Sequence, residues 1–154
     1  MYPLILVPHD GSSTAEHGFA EALALARALG STLRVVNVVD ARMLPAEISA
    51  AATVGQLLEN WRTEGHRIVS DAAQAARAAG VTAQDAVLFD PGGRVCDVIV
   101  DDARRSGAGL IVMGTHGRRG FRRLTLGSDA ELVLRESPVP VLLVRAPEGA
   151  AAAG

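Results

Sequence analysis

Gly114-Thr115-His116-Gly117, followed after nine residues by Gly127-Ser128, is the stretch of this chain whose residue types and spacing suit a definite chemistry. Glycines at a strand end let the backbone approach a ligand closely. A helix start adds unpaired N–H groups and the positive end of the helix dipole. Together these make a site for anionic groups, phosphates foremost. Two better-known phosphate loops are absent: no lysine follows any glycine, as a P-loop requires, and the first strand runs into His9-Asp10-Gly11-Ser12-Ser13 rather than a GxGxxG turn.

Other residues take their meaning from this loop. Asp10, alone, reads as a turn or cap residue; opposite a glycine loop its carboxylate can accept hydrogen bonds from ribose hydroxyls, a division of labour that suits a nucleotide. Arg118, Arg119, Arg122 and Arg123 crowd the loop, where they form either a solvated basic surface or a screen for phosphate charge. Arg118, adjoining Gly117, is the preferred phosphate contact. Asp129 and Glu131 work the other way, competing with an anion for the helix dipole. Either affinity is modest, or a divalent cation such as Mg completes the site. His9, His17, His66 and His116 show no metal-ligand spacing, so no metal centre is expected. No GxSxG elbow supports a serine nucleophile, so turnover is expected to be absent or slow.

The elements that must position these groups follow from periodicity. Leu4-Ile5-Leu6-Val7, between Pro3 and Pro8, reads as a buried strand. Ser13 with Glu16 reads as a capping box, and Phe19, Ala22, Leu23, Ala26 and Leu29 mark a helical face that ends at Gly30. Leu33 to Val39 is a second strand. Residues 41–54 carry no period and suggest a mobile connection or lid. A long helix from Leu57 carries Trp61, Ile68, Ala72 and Ala76 on one face, with Trp61 expected as a packing anchor. Val81 to Phe89 is a third strand, Asp90-Pro91-Gly92-Gly93 a turn, and Val95, Val98, Ile99 and Ala103 a third helical face. Leu110-Ile111-Val112-Met113 leads into the glycine loop. Ser128 with Glu131 reads as the capping box of a helix through Ala130, Val133 and Leu134, and Val139 to Val144 is a last strand. The alternation predicts an α/β fold: an open five-stranded parallel sheet with helices on both faces, one domain over residues 1–146 and a disordered tail over 147–154. In such a sheet ligands bind beyond the carboxyl ends of the strands where the order reverses. The ends of the first and fourth strands, Asp10 and Gly114, should therefore meet.

Composition narrows the function classes. At 154 residues the chain suits one domain, and 49% hydrophobic residues with only 3% aromatics imply a core of Ala, Val, Leu and Ile rather than a base-stacking surface. A net charge of −2 supplies no general field for nucleic acid or acidic membranes. No apolar run approaches the length of a membrane span. The lone Cys96 excludes an intramolecular disulfide framework and reads as a small helix-packing residue; with no leader pattern evident, the cytoplasm is the expected compartment.

The full pattern, GxxG then nine residues then G[ST] in a strand-loop-helix context, resembles the nucleotide-binding motif of the universal stress protein family, and the resemblance runs from Leu4 to Val144. It implies a Rossmann-like sheet of strand order 3-2-1-4-5. It further implies ATP as ligand, with Pro8, Asp10, Val38 and Met113 bordering adenine and ribose, and Gly114, Gly117, Gly127 and Ser128 holding ribose and phosphates. A regulatory or protective role in the stress response, as a homodimer through the C-terminal strand, belongs to the same expectation. A nucleotide-independent interaction module and a slow ATPase or adenylating enzyme of related fold are the alternatives. The latter class would show an SGGxDS-like loop where this chain has His9-Asp10-Gly11-Ser12-Ser13. One departure from the family pattern, Gly109 before the fourth strand, touches a turn rather than the motif.

Overall fold

The structure, a computed structural model, describes residues 1–47, 50–115 and 126–146. Five strands, β1 (Leu4–Pro8), β2 (Thr32–Asp40), β3 (Ala83–Asp90), β4 (Leu110–Gly114) and β5 (Val141–Val144), form one sheet in the order β3-β2-β1-β4-β5 with every neighbour parallel. Four helices alternate with them: α1 (Ser13–Leu29), α2 (Ala51–Ala78), α3 (Val95–Ser106) and α4 (Ser128–Glu136). The expected order and parallel sense are those observed.

Strand alternation divides the core. Ile5, Val7, Leu33, Val35 and Val112 face α1 and α2, where Phe19, Ala22, Ala26, Val69, Ala73 and Ala76 cover them. Leu6, Val36, Ile111 and Met113 face α3 and α4, covered by Cys96, Ile99, Ala103, Ala130 and Val133. Both faces of the central strands are thus dry, which explains why their sequences carry no polar alternation. Alanine-lined helix faces let the helices sit close to the sheet. The buried Cys96 packs as expected, and burial together with neighbouring Asp97 raises its thiol pKa, keeping it protonated at neutral pH. Among the described residues no helix is long and apolar enough to cross a membrane.

Several local expectations change. The cap of α1 is Ser12, whose hydroxyl accepts from the Ala15 N–H at 3.2 Å, one residue ahead of the expected Ser13. Glu16 turns instead toward His9. Helix α2 begins at Ala51 rather than Leu57, because its first turns are exposed and so leave no burial period to read. Much of the segment expected as a period-free lid is therefore a short 3-10 turn, Ala41–Met43, and the start of α2. Leu29 and Leu134 are exposed, not core.

Candidate functional site

β1 lies at the centre of the sheet, and the chain runs outward to β2 and β3 before crossing back to β4. The ladder between β1 and β4 stops at Leu6↔Ile111, although the strands continue to Pro8 and Gly114. Pro8 has no N–H for a ladder. A crevice opens there, at the reversal of strand order, and widens into a cavity of about 690 Å³.

The expected site residues converge on that cavity. Pro8 and Asp10 enter from β1 and its loop, Val38 from β2, Met113 and Gly114 from β4, and Gly127 and Ser128 from the start of α4. Gly117 and Arg118, with the other three loop arginines and His116, lie outside the described residues. Both ends of their segment are pinned, however: the Thr115 N–H donates to Val144 O at 2.9 Å, and the Gly127 N–H to Thr115 O at 2.9 Å.

The start of α4 differs from the expected capping box. Gly127 occupies the cap position and no side chain bonds there; the Glu131 N–H goes to the Gly127 carbonyl as an ordinary helical bond. Ser128 is thus the first helical residue. Gly127, Ser128, Asp129 and Ala130 all border the cavity, so a helix N-terminus without a side-chain cap faces it. Across the crevice, α1 is satisfied internally by Ser12, and Asp10 is oriented by accepting the Ser12 N–H at 2.9 Å.

Charge on the cavity wall is mixed. Arg42 makes a fork on Asp40, with both contacts at 2.9 Å, which raises the guanidinium pKa, and the carboxylates of Asp90 and Asp129 lie near enough to add to the shift. Arg94 is engaged by Asp97 and Glu136. Those two carboxylates and Cys96 fall within 4.8 Å of one another, but the guanidinium already bridges the acids. The described arginines of the wall are therefore partnered, Arg42 by Asp40 and Arg94 by Asp97 and Glu136.

One wall was not foreseen. The middle of α2 passes over the end of β2, so Trp61, Glu64, Gly65 and Ile68 line the cavity. Trp61 is half-buried and is a cavity residue rather than the packing anchor expected of it. The spacing 61, 65, 68, 72 is a helical face and was legible; where that face ends above the sheet was not. Close approach depends on Gly65, since a Cβ there would fall 2.5 Å from Asn37 Oδ1.

An open parallel sheet with a cavity at its switch point, walled by a glycine-bearing strand end and an uncapped helix start, defines a doubly wound α/β protein with an anion-suited crevice. The sequence model of the universal stress protein family matches residues 1–145, and the chain belongs to that family. It is similar to a universal stress protein of Thermus aquaticus, 36% identical over 94% of this chain and 100% of the relative. A solved family member from Burkholderia pseudomallei superposes with a TM-score of 0.77 at 34% identity, covering 94% of this chain and 97% of that one. The Archaeoglobus fulgidus universal stress protein in complex with dAMP shares the fold, with a TM-score of 0.61 at 22% identity over 94% of this chain and 98% of that one.

Proposed function

We propose that this chain is an ATP-binding universal stress protein, a regulatory or protective factor of the stress response that binds its nucleotide rather than turning it over. The observation that carries the reading is the meeting of Asp10, the Gly114 strand end and the uncapped Gly127-Ser128 helix start on one cavity. Adenine and ribose lie against Pro8, Val38, Met113 and Asp10, and the phosphates against the glycine loop, with Gly117 and Arg118 completing it. The solved dAMP complex of the Archaeoglobus fulgidus relative supports an adenine nucleotide as the ligand class. Asp129 and Glu131 in the first turn of α4 place negative charge beside the phosphate end of the site, so Mg accompanies the triphosphate.

Calorimetric titration with ATP, with and without magnesium, tests this. Asp10→Ala removes a charged acceptor and Gly127→Val obstructs the helix start, so each should weaken binding about 10-fold or more. Unchanged affinity in both variants overturns the site. Absence of binding under either condition favours a nucleotide-independent interaction module.

We further propose a homodimer through the β5 edge, with which no other described strand pairs and where Leu142 is exposed. The Ile111 and Thr115 N–H groups donate to the carbonyls of Pro140 and Val144, so alternate residues of β5, Leu142 included, turn their backbone groups toward β4. Val141 and Leu143 turn theirs outward, where a two-fold-related copy would pair with them. Leu143→Pro should therefore dissociate the dimer, whereas Leu142→Pro should damage the parent sheet. Light scattering coupled to size exclusion checks this. A monomeric wild type at micromolar concentration rejects the dimer, and a folded Leu143→Pro variant that stays dimeric places the interface elsewhere.

A further inference from the structure

His9 stands between two residues assigned to the nucleotide, yet that assignment gives it no task. It is 3% exposed. Its backbone is fixed on both sides: the N–H donates to Val36 O at 2.8 Å, and the carbonyl accepts from Asn37 Nδ2 at 2.9 Å. The ring packs on Phe19, with centroids 6.0 Å apart.

The two ring nitrogens do different things. Nδ1 accepts the Gly11 N–H at 3.1 Å, which demands a lone pair there and places the proton on Nε2. Nε2 is buried and lies 3.4 Å from Glu16 Oε1, an ion-pair distance without a formed hydrogen bond. Gly11 is the residue that turns the chain, at φ 80°, and the next N–H, that of Ser12, orients the Asp10 carboxylate. The imidazole therefore anchors the turn on which Asp10 is carried.

We propose that neutral His9 is a positioning residue that holds the Asp10–Gly11 turn in its ligand-accepting shape through Nδ1, so that acidification releases the turn and weakens the site. A protonated ring presents an Nδ1–H to the Gly11 N–H. Two donors cannot share that contact, and Glu16 draws the cation through Nε2. The turn and the Asp10 carboxylate must then shift.

Charges around the ring act in opposite senses. Burial lowers the His9 pKa from its ordinary value of 6.5, while Glu16 on α1 and Asp10 on its own loop oppose that; burial prevails. From α2, Arg67 and Asp71 line the small hollow shared with Glu16 and Phe19, and Glu64 lies on the main cavity wall. β2 contributes the neutral Asn37. Because the folded pKa is depressed, the contribution of His9 to stability is complete above 6.5 and is lost as pH falls through the folded value. Ligand affinity follows the same sign, falling by up to about 10-fold per pH unit for one coupled proton.

The binding arm of the test rests on the nucleotide reading, and the structural arm does not. In the unliganded protein, NMR titration should show the Gly11 amide shifting together with the His9 ring. A Gly11 amide indifferent to the ring overturns the inference. ATP calorimetry near neutrality and at about pH 5.5 then compares wild type, His9→Asn and His9→Phe. Asparagine keeps an acceptor where Nδ1 stands but does not titrate, so it should bind like wild type near neutrality and lose less affinity on acidification. Phenylalanine keeps the ring and lacks the acceptor, and should bind about 5-fold more weakly at both values. The nucleotide's own protonation is common to all three proteins, so parallel losses in wild type and His9→Asn overturn the inference. If none of the three binds ATP, the nucleotide reading fails, and the Gly11–His9 titration alone decides the role of the ring.

Discussion

Gly114→Val should lower folding stability by about 3 kcal/mol and weaken ATP binding with it. In the sequence, Gly114 reads as a place for a ligand to come close. The structure adds a second demand, because a Cβ at this position would stand 2.6 Å from Thr14 O and 2.8 Å from Thr14 C, both backbone atoms of α1. Gly18 repeats the arrangement from the other side, its own Cβ position being 3.0 Å from Gly114 N. Helix and strand thus meet backbone to backbone. Overpacking commonly costs about 1–3 kcal/mol, and here the nearest obstacle is helix backbone, which cannot yield as a side-chain tip can, so the upper end applies. Any relief must push the first turn of α1 outward, carrying the Ser12 cap and the Asp10 turn with it. Urea unfolding and ATP calorimetry on the same preparation check both consequences. Wild-type stability together with wild-type affinity would mean that the α1–β4 contact is looser than described, and Gly114→Ala should show the same sign at smaller size.

Arg34→Met should destabilise the fold by about 3 kcal/mol. Arg34 stands near the start of β2, paired with Leu6 on one side and Gln84 on the other. Its guanidinium forks onto Asp102 of α3 at 2.7 and 2.8 Å, and Asp102 is 4% exposed. The hydrogen bonds to that carboxylate raise the pKa of Arg34, outweighing the cost of its partial burial, so the guanidinium stays charged. Methionine preserves much of the stem's packing but leaves a buried carboxylate with no counter-charge, a situation that costs about 3–5 kcal/mol when complete. Arg34 keeps some solvent contact, which sets the lower figure. The double variant Arg34→Met, Asp102→Leu should regain most of the loss, since an apolar pair of similar volume is commonly neutral or better. A single variant as stable as wild type in denaturant would show that the bridge holds the fold only nominally.

Much of the site was legible because its parts are local. The Gly114-Thr115-His116-Gly117 spacing, the apolar strand before it and the helix after it are read within one short window, and so is Asp10 after β1. The helix starts were less legible. Ser12 and Ser13 are chemically alike, and which one caps α1 depends on the path imposed by the Gly11 turn; at α4 the loop delivers Gly127 to the cap, leaving Ser128 inside the helix. Glu16 matched a capping box in sequence but lies beside His9, a partner that one helical turn cannot reveal. The α2 wall was hidden for a different reason. Periodicity says that Trp61 and Ile68 share a face, not that the face runs past the end of β2 into open space.

The sequence by itself determined the alternation of strands and helices, the two-sided burial of the central strands and the motif that belongs to the universal stress protein family. These depend on period, propensity and spacing, all properties of neighbouring residues. Only the tertiary structure decided which distant groups meet. Asp102 neutralises Arg34 across 68 positions of sequence. Gly18 and Gly114 bring two backbones together, and His9 gives one nitrogen to Gly11 while turning the other toward Glu16. Such pairings are settled by the register of β1 against β2 and β4 and by the depth at which each helix sits on the sheet. Each energy is set by burial, which no single segment carries: a charge or a missing methyl group matters little in an isolated strand and several kcal/mol once water is excluded around it.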